Sequence, residues 1–293
     1  MGAYLSTPIT TKETWEGQAQ DVKFGGSAMQ GWRRTMEDAH LAEVQLRTDP
    51  NTSLFGVFDG HGGAEVAKFC QRYMVQEIQK MKDFDEGVLD NALINVFHRM
   101  DEMLKDRQYL EELEQLKTKE GKEEDEAGDD GDGAGAMDAL DLLKRVFQLK
   151  RFMGDGNGAG EGSGPKAAED GSSDPEETMV QAGCTAVVAV KRGNELYVAN
   201  AGDSRGVLCR AGKAVALSED HKPAHEVERT RIVAAGGFLS DVGGVCRVNG
   251  NLNLSRAIGD LRYKCNNELP AKDQIITAQP GTHGCMGERR ELM

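Results

Sequence analysis

An aspartate at the end of an apolar run is the first feature of this sequence that could carry chemistry. The run 53–58 is followed by Asp59, Gly60 and His61, and the chain then turns through further glycines. A carboxylate fixed at a strand end, next to a backbone carbonyl that glycine leaves accessible, suits a hard cation such as Mg²⁺ or Mn²⁺. Alternatively, Asp59 caps a helix that begins near Gly62, which is a common role for aspartate. This fragment alone leaves both interpretations open.

Two further groups of acidic residues have a similar setting. Glu37 and Asp38 follow Arg33 by four and five residues, and Asp203 follows Gly202 after another apolar run. In an extended segment Glu37 and Asp38 point to opposite faces, so that one can bind a metal ion while the other holds water or backbone. Arg33 offers a planar fork that suits phosphate oxygens. A surface salt bridge and a tight hairpin turn are the simpler alternatives, but the recurrence of such carboxylates favours a binding site.

Six ordered blocks of the sequence resemble the signature motifs of the metal-dependent (type 2C) protein serine/threonine phosphatases. The resemblance covers residues 22–110 and 180–280, and the acidic stretch between them is similar to that of the family's gamma isoform. The blocks are Gly-Trp-Arg33-x-x-Met-Glu37-Asp38-Ala-His, Phe-Asp59-Gly60-His61-Gly-Gly, Ala-Asn-Ala-Gly-Asp203-Ser-Arg, Asp220-His221-Lys222-Pro223, Arg231-Ile-Val-x-Ala-Gly-Gly237 and Leu-Ser255-Arg256-Ala-Ile-Gly-Asp260.

The resemblance implies a site for two Mg²⁺ or Mn²⁺ ions, with a third held more weakly. By similarity, Asp59 bridges the two ions, and Glu37 and the carbonyl of Gly60 complete the shell of one of them. Asp38 is expected to position metal-bound waters, and Asp203 is expected to serve the third ion. A water that bridges two such ions becomes acidic enough to attack phosphorus in line.

The substrates that the resemblance implies are proteins phosphorylated on serine or threonine. Arg33 is expected to clamp the phosphate. The leaving oxygen has a high pKa and must be protonated, a task that suits His61 because an imidazole titrates near neutral pH. The alternative is that His61 supports a metal ligand or caps a helix.

The apolar patterns predict an α+β domain. Helical spacing predicts helices over 63–80 and 87–106, while short apolar runs predict a strand over 53–58 and a hairpin over 184–199. Consecutive hairpins and helices, without strict alternation, favour antiparallel sheets with helices packed outside. The resemblance refines this expectation to a four-layer αββα sandwich, in which two antiparallel sheets are covered by helices.

The acidic charge is concentrated in one region. Residues 111–135 hold 11 acidic and 3 basic residues, and residues 155–177 hold 7 acidic residues and 1 basic residue, in a chain of formal charge −14. This glycine-rich composition cannot bury enough apolar surface to fold alone, so we expect disorder. The predicted division is 1–117 as the first part of the phosphatase domain, 118–179 as a mostly disordered acidic insert with a short amphipathic helix near 137–153, 180–280 as the second part of the domain, and 281–293 as an atypical tail without helix or strand pattern.

The C-terminal part departs from the family pattern. Family members continue with an Asp-Gly-x-x-Asp turn and a later Asp-Asn turn, each of which gives a carboxylate to the first ion, and neither follows Pro280 here. We therefore expect a catalytic domain that is incomplete at its C-terminal end and a weakened metal site. An alternative function follows: a truncated or inactive phosphatase that binds phosphoproteins, or basic partners through the insert.

Composition restricts the other partners and the location. A formal charge of −14 disfavours nucleic acid, and basic proteins are the partners that suit the acidic insert. The sequence has no apolar run of membrane-spanning length and no secretory leader, so we expect the protein in the cytoplasm, the nucleus or both. We also expect a monomer. Gly2 lies in a pattern that fits N-myristoylation, and a single acyl chain gives only weak membrane attachment.

Overall fold

A computed structural model describes residues 4–19, 22–123 and 180–286. The predicted insert beyond residue 123, its helix near 137–153 and Gly2 lie outside the described residues. The strands are β1 (Glu13–Ala19), β2 (Val22–Ala28), β3 (Ala39–Glu43), β4 (Thr52–His61), β5 (Gly183–Arg192), β6 (Glu195–Ala201), β7 (Val207–Arg210), β8 (Lys213–Ala216), β9 (Leu239–Val242), β10 (Val245–Val248), β11 (Ile258–Gly259) and β12 (Gly281–Met286). The helices are α1 (Glu65–Ile78), α2 (Lys82–Asp85), α3 (Leu89–Leu104), α4 (Leu110–Glu123) and α5 (Glu226–Ala234).

The main sheet is antiparallel and has the strand order β12-β6-β5-β4-β3, with β11 paired to the start of β5. The predicted strand and hairpin are confirmed as β4, β5 and β6. Strand β4 is longer than expected because Asp59, Gly60 and His61 each keep a partner in β5. The chain turns only at Gly62 and Gly63, whose φ angles of 70° and 136° favour glycine.

Helices α1 and α3 cover one face of the main sheet, as their apolar spacing predicts. Fully buried aromatic side chains join the layers: Phe58 lies on β4, Phe69 on α1 and Phe97 on α3. Burying a side chain of this size stabilises the fold by roughly 1.5–3 kcal/mol. Helix α1 begins without a side-chain cap at Ala64, so the interpretation of Asp59 as its cap is wrong.

Hairpins lie against the opposite face of the main sheet. The ring of Trp15 on β1 stacks on His40 with 3.5 Å between centroids, and Phe24 on β2 contacts Phe55. Hairpin β7–β8 approaches the same face across an apolar cavity of about 240 Å³. The fold is therefore α+β with antiparallel sheets and helices, as predicted. The second sheet of the expected sandwich is not continuous in the described residues, because β1–β2 and β7–β8 pair only within themselves.

Two segments differ from their predicted boundaries. Helix α4 extends through Glu123, six residues into the segment assigned to the insert, because residues 117–123 are mostly lysine and glutamate, which favour helix. The tail expected to lack a strand contains β12, which pairs along β6. Its side chains are mostly exposed, so backbone pairing forms this strand without an apolar pattern. None of the described helices is long and apolar enough to span a membrane.

Candidate active site

A cleft of about 750 Å³ contains five of the predicted site residues. Its lining includes Arg33, Glu37, Asp38, Asp59 and Gly60. The segment before β3 and the end of β4 bring them together, because β3 and β4 pair in register from Ala39 and Phe58 onward. Asp203 and His61 are not part of this lining, although both lie on adjoining elements.

Asp38 and Asp59 lie side by side on neighbouring chain segments. Asp38 precedes Ala39, the partner of Phe58, so it lies opposite Asp59. Partial burial, followed by the charge of Asp59, raises the pKa of Asp38 to about 6. Partial burial, followed by the charge of Asp203, raises the pKa of Asp59. Like charges in direct opposition destabilise a sheet, so this pair is a place where a cation would be stabilising.

Gly60 permits the backbone of Glu37 to approach β4. A Cβ at residue 60 would lie only 2.3 Å from the carbonyl oxygen of Glu37. A side chain here would separate the two segments and move Asp38 away from Asp59. The carboxylate of Glu37 accepts a hydrogen bond of 3.0 Å from the hydroxyl of Thr35, which limits its orientation.

Asp203 is held next to the cleft by a close turn. Gly202 has a φ of 116°, and a Cβ there would lie 2.5 Å from Cβ of Thr185, the strand partner of Asp59. This approach explains why the charge of Asp203 raises the pKa of Asp59. Asp203 also accepts a hydrogen bond from the ammonium group of Lys222. Any cation at Asp203 must therefore compete with Lys222.

His61 is oriented by a buried partner. Its Nε2 atom lies 2.6 Å from Oδ2 of Asp260, whose side chain is 2% exposed. Asp260 adopts left-handed backbone angles, with φ 50° and ψ 40°. A Cβ at Gly183 would lie 2.5 Å from Oδ2 of Asp260 and 2.7 Å from Nε2 of His61, so this pair requires glycine beside it. Burial alone would lower the pKa of His61, but the hydrogen bond and charge of Asp260 raise it overall.

The oxygen donors in the cleft fit a hard divalent cation that keeps most of its water. Within residues 4–19, 22–123 and 180–286, no group of three or more His, Cys, Asp or Glu side chains is arranged to hold a metal ion. Asp38 and Asp59 nevertheless form an adjacent carboxylate pair with raised pKa values. Mg²⁺ commonly binds through one or two carboxylates and retains several waters. The donors present therefore fit such an ion, without a preformed protein shell.

Sequence patterns do not assign a site role to three residues that either line the cleft or contact a predicted site residue. Asp260 and Lys222 lie in recognised motifs, but no pattern indicates that they pair with His61 and Asp203. Arg247 on β10 lines the cleft together with Arg33. The resemblance implies that the glycine-rich stretch 237–254 forms a mobile flap near the substrate groove, yet its sequence does not indicate which side chain faces the cleft.

Comparisons with known proteins agree with this fold and show the family. The family model described as Protein phosphatase 2C matches residues 22–123 and 161–289. A probable protein phosphatase 2C of Oryza sativa subsp. japonica is 44% identical over 280 residues, which cover 96% of this chain and 70% of the relative. A second, from Arabidopsis thaliana, is 42% identical over 282 residues, which cover 96% of this chain and 71% of the relative. The chain belongs to the protein phosphatase 2C family.

Solved structures agree at the level of the fold. A sex determining protein of C. elegans aligns with a TM-score of 0.56 and 21% identity, covering 98% of this chain and half of that chain. A serine-threonine phosphatase 2C from Toxoplasma gondii aligns with a TM-score of 0.54 and 17% identity, covering 98% of this chain and 78% of that chain. These identities are low, so the likeness supports the fold alone.

Proposed function

We propose that this protein is a serine/threonine protein phosphatase that hydrolyses phosphoserine and phosphothreonine with the help of two Mg²⁺ or Mn²⁺ ions and a third, weaker one. Family membership supports the reaction class. The observation that carries the assignment to this cleft is the paired carboxylates of Asp38 and Asp59 beside Arg33. Metal-assisted phosphate hydrolysis needs oxygen donors for a cation and a group that recognises the phosphate, and the residue types in the cleft support both roles.

The residues of the cleft would have three different roles: binding the ions, positioning water and binding the phosphate. Asp59, Glu37 and the carbonyl of Gly60 would hold the ions, while Asp38 would accept hydrogen bonds from the attacking water. When bound, such ions acidify water and offset the charge of the phosphoryl group. Arg33 would bind two phosphate oxygens and orient the phosphorus for in-line attack.

His61 is the group that we assign to the leaving oxygen. A serine or threonine alkoxide is a poor leaving group, so a proton donor is needed. Asp260 supports this assignment, because its hydrogen bond and charge favour the protonated form of the imidazole and raise its pKa. The imidazolium would donate its proton as the ester bond breaks, and water would restore it.

Replacing Arg33 by alanine is expected to raise KM for a phosphothreonine peptide about 10- to 100-fold, because a charge-assisted hydrogen-bonded pair with phosphate is lost. Arg33→Lys keeps the charge without the fork and is expected to give an intermediate KM. The measurement is Mn²⁺-dependent phosphate release over a range of peptide concentrations. Arg47→Ala, at an exposed position outside the cleft, serves as the matched control.

Hydrolysis that is absent, or equal with and without metal, would contradict the proposed enzyme. Peptide binding without hydrolysis would instead favour the alternative function, a phosphoprotein-binding module. Because no group of three or more His, Cys, Asp or Glu side chains is arranged to hold a metal ion among the described residues, we expect weak binding, and the assay is run over a range of Mn²⁺ concentrations.

We further propose that the acidic segment 118–179 makes this chain a gamma-type member that binds basic proteins in the cytoplasm or nucleus, with weak membrane attachment if Gly2 is acylated. The charge of the segment supports this proposal. Capture of an arginine-rich peptide should be lost at about 0.5 M salt, where exposed charges are screened within a few ångströms. A chain without residues 124–179 is the control, and salt-insensitive capture would contradict the proposal.

A further inference from the structure

The loop that carries Arg33 is held by one side chain outside the catalytic set. The amide group of Gln30 donates hydrogen bonds of 3.0 Å to the carbonyl oxygen of Arg33 and 2.9 Å to that of Arg34. We propose that Gln30 is a positioning residue that sets the direction of Arg33 toward the phosphate. This inference rests on the proposed function, since it assigns Gln30 a role through Arg33.

The direction of the Arg33 side chain depends strongly on the conformation of its backbone. Arg33 is exposed, and within the described residues its charge acts on Asp38 and Asp59 without a hydrogen bond from its guanidinium group that would fix its direction. Residues 32–38 lie between β2 and β3 and form neither helix nor strand. An unsupported loop of this kind samples several conformations, and each one points Arg33 in a different direction. Two hydrogen bonds from Gln30 to consecutive carbonyls select one of these conformations.

A second set of bonds holds the same loop from the other side. The amide of Leu5 donates to the carbonyl of Trp32 at 2.9 Å. Ile9 and Gly31 exchange two backbone hydrogen bonds of 2.8 and 2.9 Å. Gly31 has a φ of 68°, a conformation in which glycine is unstrained. The segment 5–9 therefore acts with Gln30, and together they fix the backbone on both sides of Trp32.

The test compares Gln30→Ala and Gln30→Glu with Gln76→Ala, an exposed glutamine on α1 away from the cleft. Glutamate has nearly the shape of glutamine, but as a carboxylate it cannot donate to either carbonyl. We expect both Gln30 variants to raise KM for a phosphothreonine peptide, and Ki for inorganic phosphate, about tenfold. The kcat at saturating peptide and Mn²⁺ should stay within about twofold, because the groups that act on water and on the leaving oxygen are unchanged.

A merely structural role would have a different signature. It would lower kcat and the thermal midpoint together, without a specific rise in the Ki for phosphate, and that result would overturn the proposal. An unchanged KM and Ki in both variants would also overturn it. A chain without residues 2–9 should show the same selective rise, and combining it with Gln30→Ala should add less than the product of the two effects, because both act on one loop.

The test of Gln30 and the test of the phosphatase assignment can fail independently. If the unaltered chain releases phosphate with Mn²⁺ and Arg33→Ala raises KM, the phosphatase assignment holds whatever the Gln30 variants do. If the unaltered chain releases no phosphate, its binding of phosphate can still be titrated. Weaker phosphate binding by Arg33→Ala and by Gln30→Ala would then support the positioning role without the reaction.

Discussion

Asp59→Asn is expected to remove metal-dependent phosphate release while making the metal-free protein harder to unfold. The activity should fall on the order of a thousandfold, because the carboxylate that would hold the ions, and with them the acidified water, is lost. The stability should rise because Asp38 no longer faces a like charge, whose repulsion in direct opposition costs up to about 1 kcal/mol. Lower activity together with higher stability would indicate that this carboxylate is kept for function and not for folding.

The pH dependence follows from the raised pKa values of Asp38 and Asp59. A carboxyl group whose pKa is raised by folding contributes most stability below its unfolded pKa, and this contribution is lost as pH rises through the folded value. For Asp38 the folded value is about 6. The metal-free protein should therefore lose stability between about pH 4 and about pH 7, and Asp59→Asn should reduce that loss.

Denaturant unfolding with and without Mn²⁺ measures both effects. Mn²⁺ should stabilise the unaltered protein near neutral pH by binding the folded state, and it should stabilise the Asp59→Asn variant much less. Asp85→Asn, at an exposed position on α2, is the control and should behave like the unaltered protein. Equal stabilisation of all three proteins by Mn²⁺ would place the ion elsewhere and contradict the assignment of Asp59.

Periodic apolar residues predict the central elements of this fold well. On α3, the spacing of Leu93, Val96, Phe97 and Met100 predicts one buried face, and all four side chains are fully buried. The run before Asp59 likewise predicts β4, because its alternate residues pack against the helices. Such patterns report which face of an element is buried, which is local information that the sequence carries directly.

Pairings between distant segments could not be predicted in this way. His61 and Asp260 are 199 residues apart, and their contact depends on Gly183 leaving space between β4 and the loop that carries Asp260. The strand β12 has no apolar alternation, because its side chains are mostly exposed and its order comes from hydrogen bonds to β6. The cleft carboxylates could be predicted in part. Their motifs are recognisable in the sequence, but the placement of Asp38 opposite Asp59 depends on strand register, which the sequence does not show.

Asp260→Asn is expected to reduce kcat for a phosphothreonine peptide about 100-fold, even though Asp260 does not line the cleft. The neutral amide cannot stabilise the imidazolium of His61, so the pKa of His61 should fall. Activity that requires the protonated imidazole then declines at lower pH, and the alkaline limb of the kcat profile should move toward acid. His61→Gln should reduce kcat similarly and remove that limb altogether.

The leaving group distinguishes proton donation from a general loss of structure. An aryl phosphate whose leaving oxygen is already a stable anion needs little protonation, so both variants should hydrolyse it at nearly the unaltered rate. His225→Gln, at an exposed position before α5, is the matched control for both substrates. Combining Asp260→Asn with His61→Gln should cost no more than His61→Gln alone, because Asp260 acts through the imidazole. Equal losses on both substrates would instead assign the pair to holding β4 and its carboxylate in place.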